Sequence, residues 1–454
     1  MIQEQKSALR SIMDWFRESI TVKLAFIGFL ILVLLIPSSL IDDLIRERAG
    51  RQDEMAKSIA DTWSGSQMVK GPVLVIPYRK TVKFIDNDKK EATRDVIENL
   101  YILPENLKIR ANVKPERLHR GMFETVVYNS SIKITGNFAK AELGGLSLSP
   151  QQLLLDRARL EFSISDLKGL KNNPTLNAAG QQLTAEPSFD AHPLFNNGLQ
   201  ANINLTNVAD GAFTFDYTLD LKGSQELHFL HLGKTTDVEL TGNWGTPSFD
   251  GRYLPDDRKI DSAGFRAKWR MLYYNRPYPQ QWVVDNSLFA DAKKQEDASF
   301  GVKLRLPVDQ YQKITRTSKY AILIVLLTFV SLFLTEVIRK QRIHPFNYVL
   351  IGAAMIIYYI LLLSFSEQVG YNMAYVIASV ATIGLVSVFI ASLLKNKGAA
   401  ALFALILSVI YIFIFVIIQL EDLALMIGSI ALFIITALLM YFSRKINWDK
   451  PESE

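Results

Sequence analysis

The chain contains no cysteine and only five histidines. Without thiols there is no disulfide, no thiolate nucleophile and no Cys-held zinc or iron–sulfur cluster. The HExxH, GxSxG, GxGxxG and GxxxxGK[ST] patterns are all missing, which removes the usual residues of zinc-protease, serine-hydrolase, dinucleotide and P-loop chemistry. His228 and His231 stand three apart in a strand-like stretch, Glu226–Leu232, and that spacing sends them to opposite faces and speaks against a metal pair. Asp86, Asp88 and Glu91 lie beside Lys89 and Lys90, without the loop glycine and distal glutamate of a calcium loop. A solvated turn is expected there. Lys and Arg are not concentrated on one domain as in a nucleic-acid binder. No cofactor, metal or catalytic residue is expected, and the chain reads as a non-enzyme.

What the chain does have is apolar length. Of its 454 residues, 49% are hydrophobic, and they fall mainly in two regions, 22–40 and 319–442. Six stretches of about 20 residues match the hydrocarbon thickness of a bilayer: 22–40, 319–336, 346–365, 373–394, 399–419 and 423–442. The short links between them alternate in charge. Lys6, Arg10 and Arg17 precede the first span and Lys23 stands at its very start; Arg339, Lys340 and Arg342 follow the second; Lys395 and Lys397 follow the fourth; Arg444, Lys445 and Lys450 follow the last. The links around Glu367 and around Glu421-Asp422 hold acids only. Basic residues in short loops stay on the cytoplasmic side, so both termini are expected there and residues 41–317 across the inner membrane, in the periplasm. The first apolar run has about 20 residues before it and no small-x-small site after Pro37-Ser38-Ser39, which predicts an uncleaved anchor rather than a secretory signal.

The expected organisation is a cytoplasmic tail (1–21), a first span (22–40), a helical stalk (41–66), a periplasmic β-rich domain (67–317), a five-helix bundle (318–442) and a second cytoplasmic tail (443–454). Leu44, Ile45, Met55, Ile59 and Trp63 recur at helical spacing in the stalk. Beyond Gly71-Pro72 the period changes to two. Phe213, Phe215, Tyr217, Leu219 and Leu221 alternate with polar residues, as do Ala158, Leu160, Phe162 and Ile164. Phe265, Ala267, Trp269, Met271 and Tyr273, and then Val302, Leu304 and Leu306, follow the same rule. Such alternation puts one face on a core and the other in water, and at least eight strands of this kind suggest two packed sheets. Residues 171–187 and 250–262 are read as surface loops. The fold class is thus a multi-pass α-helical membrane protein, with six transmembrane helices and a large, sandwich-like β domain.

Three acids stand out: Glu367 in one outer link, and Glu421 and Asp422 in the other. Two readings apply. The acids sit cheaply at the interface, Asp422 capping the sixth helix, or they form a coupling cluster where the bundle meets the β domain, with Arg305, Lys313, Arg316 or Lys319 as donor. No Lys or Arg lies mid-span, and no matched Gly/Pro interruptions mark broken helices, which argues against a coupled transporter.

Several stretches, taken in order, carry a resemblance. They are Gly71-Pro72-Val73-Leu74-Val75-Ile76-Pro77-Tyr78, Arg120-Gly121-Met122-Phe123, Trp244-Gly245-Thr246-Pro247-Ser248-Phe249-x-Gly251 and Gly264-Phe265-x-Ala267-x-Trp269. Phe300-Gly301-Val302 and Pro307-Val308-Asp309-x-Tyr311 follow, then Ile343-His344-Pro345 and Ser364-Phe365-Ser366-Glu367. Gln419-Leu420-Glu421-Asp422, Gly428-Ser429 and Arg444-Lys445-Ile446-Asn447-Trp448 complete the set. Over nearly its whole length the chain resembles the CreD family of bacterial inner-membrane, or cell envelope integrity, proteins. That resemblance implies an envelope-stress role, linked in the family to a two-component regulon, colicin tolerance and β-lactam response. It implies no catalytic residue. The leading expectation is a protein that supports or senses envelope integrity through its periplasmic domain, with the lipid bilayer and an unidentified periplasmic or membrane protein as partners. The alternative is a transporter or lipid-handling protein using a cavity in the C-terminal helices.

Overall fold

The computed structural model describes residues 20–85, 91–121, 123–189, 194–208, 211–283, 287–304, 306, 310–339, 343–420 and 423–443. The chain divides into two units, Met1–Arg51 with Val308–Glu454, and Gln52–Pro307. Helix α1 (Ile20–Trp63) passes from the first into the second without a break and contains Pro37. The expected stalk is therefore a continuation of the first span.

In the second unit the described strands form two sheets. The first has the order β13 (Pro247–Gly251), β17 (Ser299–Leu304), β11 (Glu226–Leu230), β1 (Gln67–Ile85), β5 (Ala158–Ser163), β9 (Gly198–Ile203) and β8 (Glu186–Pro187), with β2 (Glu91–Ile102) between β1 and β16 (Gln281–Val283). The other runs β14 (Asp257–Asp261), β15 (Gly264–Leu272), β12 (Thr235–Gly242), β3 (Asn106–Arg120), β4 (Phe123–Phe138), β10 (Phe213–Ser224), β6 (Thr175–Ala178) and β7 (Gln181–Thr184). One short helix, α2 (Ala292–Ala298), leads into β17 and is capped by Asp291, whose side chain accepts from the Lys293 and Lys294 N–H groups. A single hydrophobic core takes side chains from both sheets.

The period-two reading holds along β10, where Phe213, Phe215, Tyr217, Leu219 and Leu221 are all buried and Thr214 and Thr218 exposed. It fails in β5. There Glu161 and Ser163 are buried as well, because β5 lies inside its sheet between β1 and β9 and its second face is also covered. Glu161 enters with its own cation, Arg159 at 2.6 Å. The stretches 171–187 and 250–262 are not simply loops. They contain β6, β7, β8 and β14, short strands on or near sheet edges, where one-sided pairing leaves little hydrophobic pattern to read. Tyr273 lies beyond the end of β15 and is exposed. Asp86 and Asp88 lie outside the described residues, while Glu91 begins β2.

In the first unit, α3 (Gln310–Lys319) and α4 (Ala321–Arg339) meet at a bend of 42°. They are followed by α5 (Pro345–Val369), α6 (Tyr371–Leu394), α7 (Lys397–Gln419) and α8 (Ala424–Ser443). Among the described residues four helices are long and apolar enough to cross a membrane: α1, α5, α6 and α7. The bent pair makes a fifth if it is one span, and α8 offers a shorter apolar stretch, Ala424–Ala437. The ends of these helices are written locally. Pro345 opens α5 with His344 as its cap, the Nδ1 atom accepting from Phe346 N–H. Asn396 caps α7. Gly370, at φ +80°, separates α5 from α6 in a conformation that an L side chain resists.

Candidate functional site

A polar groove of about 470 Å³ opens on the first sheet, walled by β11, β13, β17 and α2. Its making is a matter of register. Along β11, Leu227 and Phe229 enter the core while Glu226 and His228 face the other way. Gly301 of β17 pairs with His228 on one side and Asp250 of β13 on the other. Any Cβ at Gly301 would lie 2.7 Å from His228 Cα and 2.9 Å from its ring. The glycine thus clears the space across which His228 Nε2 reaches Asp250 Oδ1 at 2.8 Å. The carboxylate only accepts, so Nε2 carries the hydrogen. Lys303, two residues along β17, lies 2.8 Å from Asp250 Oδ2 and 3.2 Å from Glu226 Oε1, and Glu226 in turn stands 3.7 Å from His228 Nδ1. The result is a closed ring of four charged or titratable groups.

Burial works against ionisation of Asp250, but hydrogen bonds from Lys303 and His228 outweigh it and hold the carboxyl below its usual range. The bond to Asp250 holds the Lys303 ammonium above its own. With Glu296 and Asp297 on α2 and Arg252 beyond β13, the groove wall carries four carboxylates against two fixed cations. A second concavity of about 500 Å³ shares Arg252 and Asp297 with it and adds Tyr253, Tyr274 and Arg276. Arg276 is a strut. Its guanidinium donates to Leu232 O, Tyr278 O and Gln280 Oε1, and burial pushes its pKa down to about 10. No group of three His, Asp or Glu residues positioned for a metal occurs among the described residues. The arrangement suits recognition by hydrogen bonds and charge.

His231 points the other way, as the three-residue spacing requires. It is fully buried, with Nε2 against Leu272 O at 3.2 Å and Nδ1 against the Thr236 hydroxyl at 2.9 Å. Burial drives its pKa down to about 4. For a base held neutral in the fold, stability is complete above the unfolded pKa of about 6.5 and falls as pH drops toward 4. A shift of this size corresponds to roughly 3 kcal/mol. The expected result is a stability loss between pH 6.5 and 4 that His231→Gln removes, read from denaturant midpoints at each pH; parallel pH curves for the two proteins would contradict it.

In the helical unit, Glu367 ends α5 nearly buried, with Oε1 accepting from the Tyr311 hydroxyl at 2.9 Å and Oε2 3.8 Å from Arg48 of α1. Glu421 and Asp422 lie outside the described residues. Of the donors expected from the sequence, Lys313 donates to Gln419 and Arg316 to the Ile417 and Leu420 carbonyls at the end of α7, where a cation also meets the negative end of the helix dipole; Arg305 lies outside the described residues. Arg48 was missed because it is 319 positions from Glu367, and only the parallel packing of α1 and α5 brings them together.

A helical unit holding helices long and apolar enough to cross a membrane, together with a large β-rich unit, defines an integral membrane protein. Residues 19–449 match the family model described as inner membrane protein CreD. The chain belongs to the CreD family of inner membrane proteins. It is 29% identical over 421 residues to the inner membrane protein CreD of Escherichia coli (strain K12), covering 92% of this chain and 91% of that one. Two structures of an M1 zinc metallopeptidase from Deinococcus radiodurans, one of them of a mutant, align with TM-scores of 0.21 and 0.19 at 9% and 7% identity, over 49% of this chain and 53% of theirs. Scores that low carry no argument about fold or function.

Proposed function

We propose that the protein maintains or monitors the cell envelope, catalysing no reaction, by binding a ligand or partner in the groove of a sandwich-like β domain on the periplasmic side. The groove is the observation that carries this reading: a concave, charge-lined wall with no activated nucleophile beside it. Its acidic excess favours a ligand rich in hydrogen-bond donors or bearing a cation. Membership of the CreD family agrees with an envelope role. In this reading six spans cross the inner membrane and both termini are cytoplasmic, as the alternation of basic links suggests. Glu367 with Glu421 and Asp422 forms a coupling cluster; Glu367 grips Arg48, on the helix that continues into the β unit.

The test is complementation of a deletion strain challenged with β-lactam and colicin. Lys303→Met and Asp250→Asn each open the ring while removing only partly exposed side chains, so the fold should lose no more than about 1 kcal/mol. Both variants should reach normal membrane abundance and fail to restore wild-type tolerance. Full complementation by both would end this reading.

A further inference from the structure

The second concavity of the β-rich unit, about 500 Å³ in volume, is of the size that small-ligand sites have, and it presents an aromatic ring to solvent. Tyr274 is 92% exposed. The backbone that carries it is held firmly. Tyr273–Asn275 form a single turn of 3-10 helix, closed by the Arg276 N–H donating to Tyr273 O at 3.1 Å. The Arg276 guanidinium, fixed by its three acceptors, lies 4.9 Å from the centre of the Tyr273 ring. Tyr253 donates its hydroxyl to Asn275 O at 2.6 Å, and its carbonyl accepts from Trp269 Nε1 at 3.0 Å. A wall set in this way before a ligand arrives lowers the entropy lost on binding.

Three polar side chains of the same concavity are not engaged in this framework. Arg252, Asn275 and Asp297 line it, and none of their side chains makes a hydrogen bond or ion pair among the described residues. Their chemistries differ. Arg252 only donates, the Asp297 carboxylate only accepts, and the Asn275 amide does both. A simple cation would leave Arg252 unmatched, a simple anion would leave Asp297 unmatched, and an apolar ligand would desolvate all three. A polyol satisfies them together, because each hydroxyl both donates and accepts. The exposed ring of Tyr274 adds a second requirement, a flat C–H face next to those hydroxyls. A pyranose with equatorial substituents has both.

We propose that this concavity binds a saccharide, a β-1,4-linked chain of gluco-configured sugars, with one ring stacked on Tyr274 and its hydroxyls shared among Arg252, Asn275 and Asp297. Arg252 and Asp297 also line the first groove, so a longer chain runs past them into it. There Glu226 and Asp250 accept from further hydroxyls, since a carboxylate has lone pairs beyond those given to Lys303 and His228. The acidic excess of the groove suits a ligand whose rim is made of donors. The assignment rests on the groove reading given above, for which it names the ligand.

The experiment uses the full-length protein in nanodiscs of phosphatidylcholine, free of sugar-based detergent, with chitotetraose and cellotetraose titrated in saturation-transfer-difference NMR. Saturable transfer to the sugar ring protons is expected with one or both, and the comparison shows whether an acetamido group is read. Tyr274→Ala should weaken binding about tenfold, the loss of one stacking contact, while Tyr274→Phe keeps the ring face and should stay within about twofold of the wild type. Arg252→Met should also cost about tenfold, through lost hydrogen bonds. Both side chains are exposed, so neither change threatens the fold. No saturable transfer from either sugar at millimolar concentration would overturn the proposal, as would affinities unchanged in Tyr274→Ala and Arg252→Met. Tetralysine bound at this wall in place of the sugars would make the ligand a cationic peptide and overturn it too. If both sugars fail while Lys303→Met and Asp250→Asn still lose complementation, the saccharide assignment falls and the groove reading stands.

Discussion

Phe215→Asp should unfold the β-rich unit under conditions where Thr214→Asp and Thr218→Asp leave it intact. Phe215 is 3% exposed in β10, its ring 5.2 Å from Phe138 and 6.4 Å from Tyr217 between centroids. It lies opposite Gly136 of β4. A Cβ there would come 2.2 Å from the Asn106 carbonyl and 2.6 Å from the Phe215 ring, so the ring occupies the room that the glycine leaves. Removing such a side chain costs about 3–5 kcal/mol by itself, and burying a carboxylate without a partner adds to that. The total is comparable with the roughly 5–15 kcal/mol that holds a domain together. Thr214 and Thr218 face water, and Thr218 stands opposite Lys133, so an aspartate there should change stability by no more than about 1 kcal/mol. Denaturant unfolding of the full-length protein, followed by near-ultraviolet circular dichroism, distinguishes the cases. Equal losses for the Thr and Phe variants would show that the wrong face of β10 was taken as the core.

That prediction uses only what period two makes visible, and it marks how far the sequence is legible. Burial on one side of a strand is a local property, so β10 and β15 could be read from alternation, and β17 only over its last residues, 302–304. Burial on both sides depends on which strands come to flank it, and the chain says nothing local about that. Glu161 therefore looked like a wet-face residue and is a core one. The groove was hidden for the same reason. His228, Asp250, Gly301 and Lys303 are scattered over 76 positions, and β-sheet register alone assembles them. One signal was available: Gly301 interrupts the strand Ser299–Leu304, and a glycine inside a strand often marks the close approach of a neighbour. The six apolar stretches were legible because bilayer thickness imposes their length, but pairing of charges at their ends was not. Glu367 was singled out without its partner Arg48, and Glu336, in the stretch read as the second span, was passed over entirely.

Glu336→Ala is expected to be the most damaging single change in the helical unit. The carboxylate is 5% exposed and serves three donors from three parts of the chain. Oε1 accepts from Lys23 of α1 at 2.7 Å and from the Ile343 N–H at 3.1 Å; Oε2 accepts from the Tyr348 hydroxyl of α5 at 3.0 Å. With Glu336 itself on α4, one side chain ties three helices at the end opposite the Arg48–Glu367 pair. Alanine would leave an ammonium, a hydroxyl and a backbone N–H without an acceptor, and breaking a buried pair in this way costs about 3–5 kcal/mol. The lower end of that range applies, because the Lys23 side chain is 28% exposed and can extend toward water once released. Lys23→Met leaves the carboxylate two neutral donors, the Ile343 N–H and the Tyr348 hydroxyl, and should cost less than Glu336→Ala, which orphans all three donors. Glu336→Gln keeps an acceptor oxygen while losing the charge, and should fall between wild type and alanine, at about 1–2 kcal/mol. Unfolding of the full-length protein in mixed micelles by titrated dodecyl sulfate gives the order directly. If Lys23→Met proves as destabilising as Glu336→Ala, the ion pair dominates. If all three variants match the wild type, the carboxylate does not hold the helices together, and its burial needs another explanation.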